Sequence, residues 1–226
     1  VVSTQSTGMK VLTQNIKGAV FDLDGTILDS LAAWRTIDDC FFEKRKIAYD
    51  YNELFNDTMG MSFRLKAEHV RQKYGVADSV DEIYGEWFAH YYSLLSTAAV
   101  DFFPGVIAFF EGLRSQGVQV GIATANTLAV WTAMLGKYPQ LKDLVHNVTT
   151  CEEVGKDKPD PAVYFRSMEK MGLRFDQCIV FEDSLTGLKG AKQTKSLTVC
   201  VLSDSYQREE KLSLASFVLR SYVGLV

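Results

Sequence analysis

Four short apolar runs divide the chain into strand-sized pieces, and each run is bounded by glycine or by polar residues. The runs are 19–21, 118–123, 178–181 and 197–201, and 146–149 predicts a further strand. Apolar runs of this length between turn residues are typical of buried parallel strands. Residues 197–201 are predicted to form the last strand of the sheet.

Helical spacing of apolar residues fills the segments between these strands. Val106, Phe109, Phe110 and Leu113 lie on one helical face, and Pro161 begins a further helix that ends at Gly172. Strands that alternate with helices predict a parallel, Rossmann-like sheet with helices on both faces. In such an α/β fold, ligands bind at the carboxyl ends of the strands.

The segment 30–103 carries helical patterns only. Leu31, Trp34, Ile37 and Phe41 repeat at helical spacing after Asp29 or Ser30 as the cap. A second helix is predicted over 62–75, and the S-x-x-E sequence at 79–82 predicts a capping box before a third. We therefore predict a small all-helical cap domain, 30–103, and an α/β core domain, 1–29 and 104–226.

Composition narrows the classes of function. The 226 residues are 47% apolar and 23% charged, with a formal net charge of -4 and no extended run of lysine or arginine, which disfavours nucleic acid or an anionic membrane as partner. No segment resembles a membrane span or a signal peptide, so we expect a cytoplasmic protein, a monomer or weak dimer. The polar segment 1–10 is given no function. The four cysteines and three histidines are scattered, which disfavours zinc and disulfides.

Four polar motifs follow the predicted strands in chain order. They are Phe21-Asp22-Leu23-Asp24-Gly25-Thr26, Thr124-Ala125-Asn126, Lys158-Pro159 and Glu182-Asp183. Together they resemble the ordered motifs of the haloacid dehalogenase superfamily of phosphatases, and the resemblance extends from Gly18 to about Val201. D-x-D-G-T alone arises by chance, so the specificity comes from order and context. The resemblance implies hydrolysis of a small-molecule phosphate monoester through an aspartyl-phosphate.

The resemblance assigns Asp22 the role of nucleophile and Asp24 the proton transfers. Two residues apart on an extended segment, the two carboxylates can point the same way. The structural alternative is an acidic turn that caps the next element. A calcium loop is excluded, because its glycine belongs at the sixth position and its glutamate at the twelfth, where this chain has Ala33.

The second and third motifs are expected to hold the phosphate. The Thr124 hydroxyl resembles the donor of the second motif, while Asn126 either adds a donor or caps the next helix. Lys158 resembles the third-motif lysine beside the nucleophile, because that lysine usually precedes a proline directly. Lys156 is the alternative if the alignment slips by two residues.

A phosphate dianion facing two carboxylates requires a divalent cation between them. Mg²⁺ prefers hard oxygen ligands, and Asp22, Asp183 and the backbone carbonyl of Asp24 supply three. The resemblance assigns Glu182 to the metal either directly or through water. A carboxylate at a helix start is the structural alternative for Glu182.

The position of the helical segment resembles the cap of the beta-phosphoglucomutase-like and phosphoglycolate-phosphatase-like branch. Such a cap closes over the nucleophile, with hinges expected near Asp29 and Phe103. Arg64 is a candidate for binding a substrate tail, with an exposed helical arginine as the alternative.

One position departs from the family pattern. The mutases carry a proton-transferring histidine twelve residues after the nucleophile, where this chain has Trp34. Tryptophan does not exchange protons near neutral pH, so a phosphatase is favoured over a phosphomutase. A catalytically silent binding module on the same fold is the alternative from another class.

Overall fold

A parallel sheet forms the centre of the chain. The computed structural model describes residues 2–3, 15–97, 99–202 and 207–225. The strands are β1 (Val2–Ser3), β2 (Gly18–Phe21), β3 (Leu28–Asp29), β4 (Asp101–Phe102), β5 (Gln119–Thr124), β6 (Asn147–Thr150), β7 (Cys178–Glu182), β8 (Leu197–Val201) and β9 (Phe217–Leu219). Seven of them form one parallel sheet in the order β1-β9-β8-β7-β2-β5-β6. The predicted α/β sheet is confirmed.

The α-helices of the described residues either cover the faces of this sheet or form the cap. They are α1 (Leu31–Arg45), α2 (Tyr51–Thr58), α3 (Phe63–Tyr74), α4 (Val80–Leu95), α5 (Val106–Ser115), α6 (Leu128–Lys137), α7 (Leu141–Leu144), α8 (Cys151–Val154), α9 (Ala162–Lys170), α10 (Leu185–Gln193) and α11 (Arg208–Leu214). None of these helices has both the length and the apolar character needed to cross a membrane, within the residues described.

Strand β2 is buried on both of its faces because its side chains alternate between two cores. Ala19 and Phe21 pack in one apolar cluster with α5, whereas Val20 packs in a second cluster with α9. Phe21 stacks on Phe181 of β7 at a centroid distance of 4.3 Å. This burial fixes the strand whose carboxyl end carries Asp22.

Helices α1 to α4 form the cap and lie between the two short strands β3 and β4. These strands pair antiparallel, Leu28 with Phe102, so the chain enters and leaves the cap side by side. Aromatic contacts such as Phe41 on Trp87, at 5.0 Å between centroids, build the interior of the cap. The predicted boundaries of 30–103 adjoin this ribbon, and the division into two domains stays a prediction.

The capping box that the sequence predicts is present. Ser79 accepts from the backbone N–H of Glu82, and the Glu82 carboxylate accepts from Ser79 N–H in return. Helix α2 was not predicted. It begins after Asp50, whose side chain caps it by accepting from Glu53 N–H, and only Leu54 and Thr58 of the helix are buried. So short an apolar face leaves little periodic signal.

The edge of the sheet also differs from the prediction. Residues 197–201 are not the last strand, because β9 follows and pairs parallel with β8. β9 has three residues, which is too short for a periodic pattern to identify it. Strand β6 begins at Asn147, one residue later than expected. Of the segment 1–10, to which no function was given, only β1 lies within the described residues.

Candidate active site

Three adjacent strands end together at one edge of the sheet. In the register of β2 with its neighbours, Phe21 lies opposite Ile122 of β5 and Phe181 of β7. Asp22 therefore emerges between Thr124 and Glu182, and its backbone N–H donates to the carbonyl of Phe181 at 3.0 Å. The parallel strands thus bring the first, second and fourth motifs to one place.

The chain turns sharply at Gly25, which has a φ of +76°. A Cβ at this position would collide with the carboxylate of Asp183. Glycine is therefore needed for its left-handed backbone and for the close approach of the two motifs. The next residue, Thr26, donates its hydroxyl to Asp183 at 2.9 Å and lies 3.2 Å from Asp22.

Asp22 is 7% exposed, and its Oδ1 lies 2.5 Å from the Nζ of Lys158. Burial and, to a smaller extent, the negative charge of Glu182 raise the pKa of Asp22 to about 7, against the opposing effect of Lys158. A second positive charge close to Asp22 would stabilise the ionised form of its carboxylate. Asp22 thus lies where a carboxylate nucleophile would need a nearby cation to stay ionised.

Lys158 is buried between two carboxylates, at 2.5 Å from both Asp22 and Glu182. Burial lowers the pKa of Lys158, but the charges of Asp22 and Glu182 outweigh it, so the pKa stays well above its usual value. Lys156 instead is exposed and pairs with Asp160 at 3.1 Å. The structure therefore brings Lys158 to Asp22 and leaves Lys156 at the surface.

Glu182 is fully buried, and both of its oxygens accept from donors of this chain. Oε1 accepts from Lys158 and from the hydroxyl of Tyr164, at 2.7 Å. Oε2 accepts from the backbone N–H and the hydroxyl of Ser184. Glu182 thus holds Lys158 in position. It also accepts hydrogen bonds from Ser184, the N-cap of helix α10. Sequence reasoning missed Tyr164, which reads there as an ordinary core residue.

Asp22, Glu182 and Asp183 form an acidic cluster whose oxygens lie within 4.8 Å of one another. Burial raises the pKa of Asp183 well above its usual range, and Glu182 and Asp22 raise it further, against the effect of Lys211. Hard oxygen ligands with an excess of negative charge fit a divalent cation. Each Glu182 oxygen accepts from two donors of this chain, whereas each Asp22 oxygen accepts from one.

Asp24 accepts hydrogen bonds from two directions. From the core, the Asn126 amide donates to Oδ2 at 2.7 Å. From the cap, the hydroxyl of Tyr91 and the indole N–H of Trp34 donate to Oδ1, at 2.5 and 3.3 Å. The residue that replaces the histidine of the mutases therefore contacts the proposed acid/base. Tyr91 was missed because its helical spacing predicts only a core position.

Thr124 and Asn126 lie together beyond β5. Thr124 is 1% exposed, and its hydroxyl accepts from Asn126 N–H at 2.9 Å. The Asn126 side chain accepts from Thr127 N–H, at the N-terminus of α6, while its amide donates to Asp24. The N-cap of α6 is Thr127, and no side chain caps the helix, so the interpretation of Asn126 as its cap is wrong. Asn126 instead contacts Asp24, and its role as a phosphate donor stays a prediction.

A sequence model of the haloacid dehalogenase-like hydrolase family matches residues 19–201. The chain belongs to this family. As a member it is an enzyme, and the family resemblance seen in the four motifs is confirmed. The match ends at β8, so α11 and β9 lie beyond it.

Individual relatives agree with the assignment of this hydrolase. It is 25% identical over 214 residues to hexitol phosphatase B of Escherichia coli K12, covering 94% of this chain and 95% of the relative. Two solved structures share the fold. CbbY of Rhodobacter sphaeroides has a TM-score of 0.81 at 18% identity, covering 93% and 96% of the two chains. A beta-phosphoglucomutase of Clostridium difficile has 0.75 at 22%, covering 93% of each.

A cavity of about 120 Å³ lies where the cap of this hydrolase faces the strand ends. The sequence predicts seven site residues in the core domain. Six of them line this cavity, namely Asp22, Asp24, Thr124, Asn126, Lys158 and Asp183. Arg64 does not. Its side chain is exposed, pairs with Asp81 at 2.8 Å and borders a neighbouring cavity beside Tyr84.

Proposed function

We propose that this hydrolase is a magnesium-dependent phosphatase that releases phosphate from small phosphorylated metabolites through a phosphorylated Asp22. The observation that carries the proposal is the surroundings of the Asp22 carboxylate. Lys158 lies against one of its oxygens, and Thr26 connects the other to Asp183. A nucleophile, a fixed cation and a pair of metal-type carboxylates thus converge on one point.

The chemistry needs two displacements at phosphorus. In the first, an oxygen of Asp22 forms a bond to phosphorus while the ester oxygen leaves and takes a proton from Asp24. In the second, water attacks phosphorus, gives its proton to Asp24, and releases inorganic phosphate with Asp22 restored. Lys158 and the Thr124 hydroxyl stabilise the charge on the phosphoryl oxygens throughout.

Asp22 and Asp183, with the main-chain carbonyl of Asp24, would hold the Mg²⁺ ion. When bound, the ion supplies positive charge that offsets repulsion between the carboxylates and the phosphate. Asp22 then stays ionised at neutral pH, despite the pKa of about 7 that its burial imposes. Glu182 acts through Lys158 rather than as a first ligand in this proposal.

Water is the proposed acceptor of the phosphoryl group. A phosphomutase would pass it to a second hydroxyl of the sugar, with a histidine at the position of Trp34 serving proton transfer. Trp34 donates a hydrogen bond to Asp24 and has no basic nitrogen. The relative named hexitol phosphatase B also supports hydrolysis of a small phosphomonoester.

The test measures phosphate release from para-nitrophenyl phosphate with Mg²⁺ and after chelation. We expect activity only with the metal, and we expect Asp22→Asn to lose it by at least about a thousandfold, as removal of a nucleophile does. Asp143→Asn, at an exposed position of α7, is the matched control and should behave as the wild type. A wild type inert on a broad phosphomonoester panel, or an active Asp22→Asn, would disprove the proposal.

A further inference from the structure

The cap side of the active-site cavity is mostly apolar and carries one ion pair, with the Thr58 hydroxyl engaged by its own helix. Its apolar lining consists of Leu31, Trp34, Phe55, Met59, Met61 and Phe63. Among them lie Asp38 of α1 and Lys66 of α3, which line the same cavity. Neither residue belongs to the four motifs, and neither contacts Asp22 or Lys158.

The pair is closely held and largely removed from solvent. Nζ of Lys66 lies 2.8 Å from both carboxylate oxygens of Asp38, and the two side chains are 12% and 3% exposed. Nζ also lies 4.9 Å from the ring centroids of Trp34 and Trp87. The indole rings and the carboxylate thus fix the lysine at the cavity wall.

A buried ion pair is a weak stabilising device, because desolvation of both charges offsets their attraction. Burial raises the pKa of Asp38, and Lys66 opposes that effect, which shows the cost of placing the carboxylate here. Apolar residues would cover this wall at least as well. The position of the pair on the cavity surface is better explained by recognition of a ligand.

The chemistry of the pair selects a neutral polar group. An alcohol can donate its proton to Asp38 and accept from Lys66, so both charged groups keep a partner. A second phosphate would meet the Asp38 carboxylate beside a lysine that is already neutralised. Among the residues lining this cavity, the cations are Lys66 and Lys158, and each is paired with carboxylate.

We infer that Asp38 and Lys66 bind a hydroxyl of the substrate, remote from its phosphate, and disfavour substrates with a second anionic group. This inference rests on the proposed phosphatase function. The preferred substrate is then a monophosphate of a hydroxylated carbon chain, whose C–H groups pack on the aromatic wall. Trp34 contacts both the ion pair and the proposed acid/base. Its ring lies against Lys66, and its N–H donates to Asp24.

The experiment compares kcat/KM for three substrates: a hexitol monophosphate, the corresponding hexitol bisphosphate, and para-nitrophenyl phosphate, which has no alcohol. Lys66→Met should lower the ratio of the value for the hexitol monophosphate to that for the aryl phosphate about tenfold. Asp38→Asn leaves the charge of Lys66 uncompensated. It should raise the ratio of bisphosphate to monophosphate at least about tenfold.

Two further variants separate recognition from folding. Lys73→Met, on the same helix, removes an ion pair with Asp57 outside the cavity and should change none of the ratios. The double variant Asp38→Leu, Lys66→Met replaces the pair with apolar side chains. It should unfold at a temperature no lower than the wild type and lose its preference for the hydroxylated substrate.

The outcomes distinguish this inference from the function on which it rests. A wild type without activity on the aryl phosphate contradicts the phosphatase proposal itself. Aryl phosphatase activity with unchanged substrate ratios in Lys66→Met, Asp38→Asn and the double variant overturns only the role of the pair. A wild type that prefers the bisphosphate overturns it as well.

Discussion

The two sides of the active-site cavity differ in charge and in origin. The core side presents Asp22, Asp24, Lys158 and Asp183, all placed at strand ends or in the loops beside them. The cap side presents aromatic and aliphatic side chains with one neutral ion pair, placed on the faces of helices. Strand ends hold the charged side chains in fixed positions. Side chains on the helix faces, in contrast, can be substituted to change the surface of the cavity. In the proposed function, the core side carries the reaction and the cap side selects the substrate.

The strongest test of the core side is Lys158→Met. We expect kcat to fall about 100-fold to 1000-fold, because a fixed cation stabilises the transferred phosphoryl charge. The free energy of unfolding should fall by about 3–5 kcal/mol, since Asp22 and Glu182 are left buried without their partner. Phosphate release and denaturant unfolding measure the two effects, with the assay run where the variant is folded.

Lys156→Met is the matched control for this prediction. Lys156 is exposed and pairs only with Asp160, so we expect activity within about twofold of the wild type and a stability change below about 0.5 kcal/mol. The reverse result, a silent Lys158 and an essential Lys156, would move the third motif by two residues. It would also break the division between a charged core side and a neutral cap side.

The second prediction concerns the hydrogen bond by which Tyr91 of the cap contacts Asp24 of the core. Tyr91→Phe removes the cap hydroxyl that donates to Asp24 and keeps the ring that stacks on Trp34. We expect kcat/KM for para-nitrophenyl phosphate to fall about tenfold, because a hydrogen bond to a charged group is worth about 1.5–3 kcal/mol. Steady-state kinetics at fixed Mg²⁺ measures this.

Tyr92→Phe is the control, since Tyr92 is the next residue and is half exposed. It should leave kcat/KM unchanged. Equal activity of Tyr91→Phe and the wild type would show that the cap only selects substrates and that Asp24 works without it. The boundary between reaction and selection would then be sharper than the structure indicates.

The same contrast explains what could be predicted from the sequence. The first, second and fourth motifs could be placed together because each follows a short apolar strand, and parallel strands bring such positions together by register alone. Asp22 and Asp183 are examples, from opposite ends of the chain. The sequence favours Lys158 over Lys156 because proline follows Lys158 directly. The burial of Lys158 beside Asp22 could not be predicted from the spacing of residues.

The cap residues escaped prediction because helical spacing identifies a face but not what lies opposite it. Tyr91 and Lys66 occupy ordinary positions on their helices, and their partners, Asp24 and Asp38, are distant in sequence. Tyr164 was missed for the same reason, since its contact with Glu182 exists only after α9 packs on the sheet. Pairings across elements depend on packing, which a single sequence does not display.

Arg64→Ala is expected to have the smallest effect. The sequence makes Arg64 a candidate for substrate binding, but its side chain is 64% exposed and its charge pairs with Asp81 at 2.8 Å. The side chain borders the neighbouring cavity, next to Tyr84, rather than the cavity that holds Asp22. We expect KM and kcat for para-nitrophenyl phosphate and for a hexitol monophosphate to stay within about twofold, because exposed ion pairs contribute little.

Arg71→Ala, at an exposed position of the same helix, serves as the reference for general effects of removing an arginine from the cap. A KM that rises tenfold or more for the hexitol phosphate in Arg64→Ala alone, with kcat unchanged, would mean that the substrate reaches the neighbouring cavity. Selection would then depend on an exposed cation at the rim of the cap, and the neutral pair of Asp38 and Lys66 would no longer define the cap side. Unchanged kinetics would restrict selection to the cavity that the core and cap share.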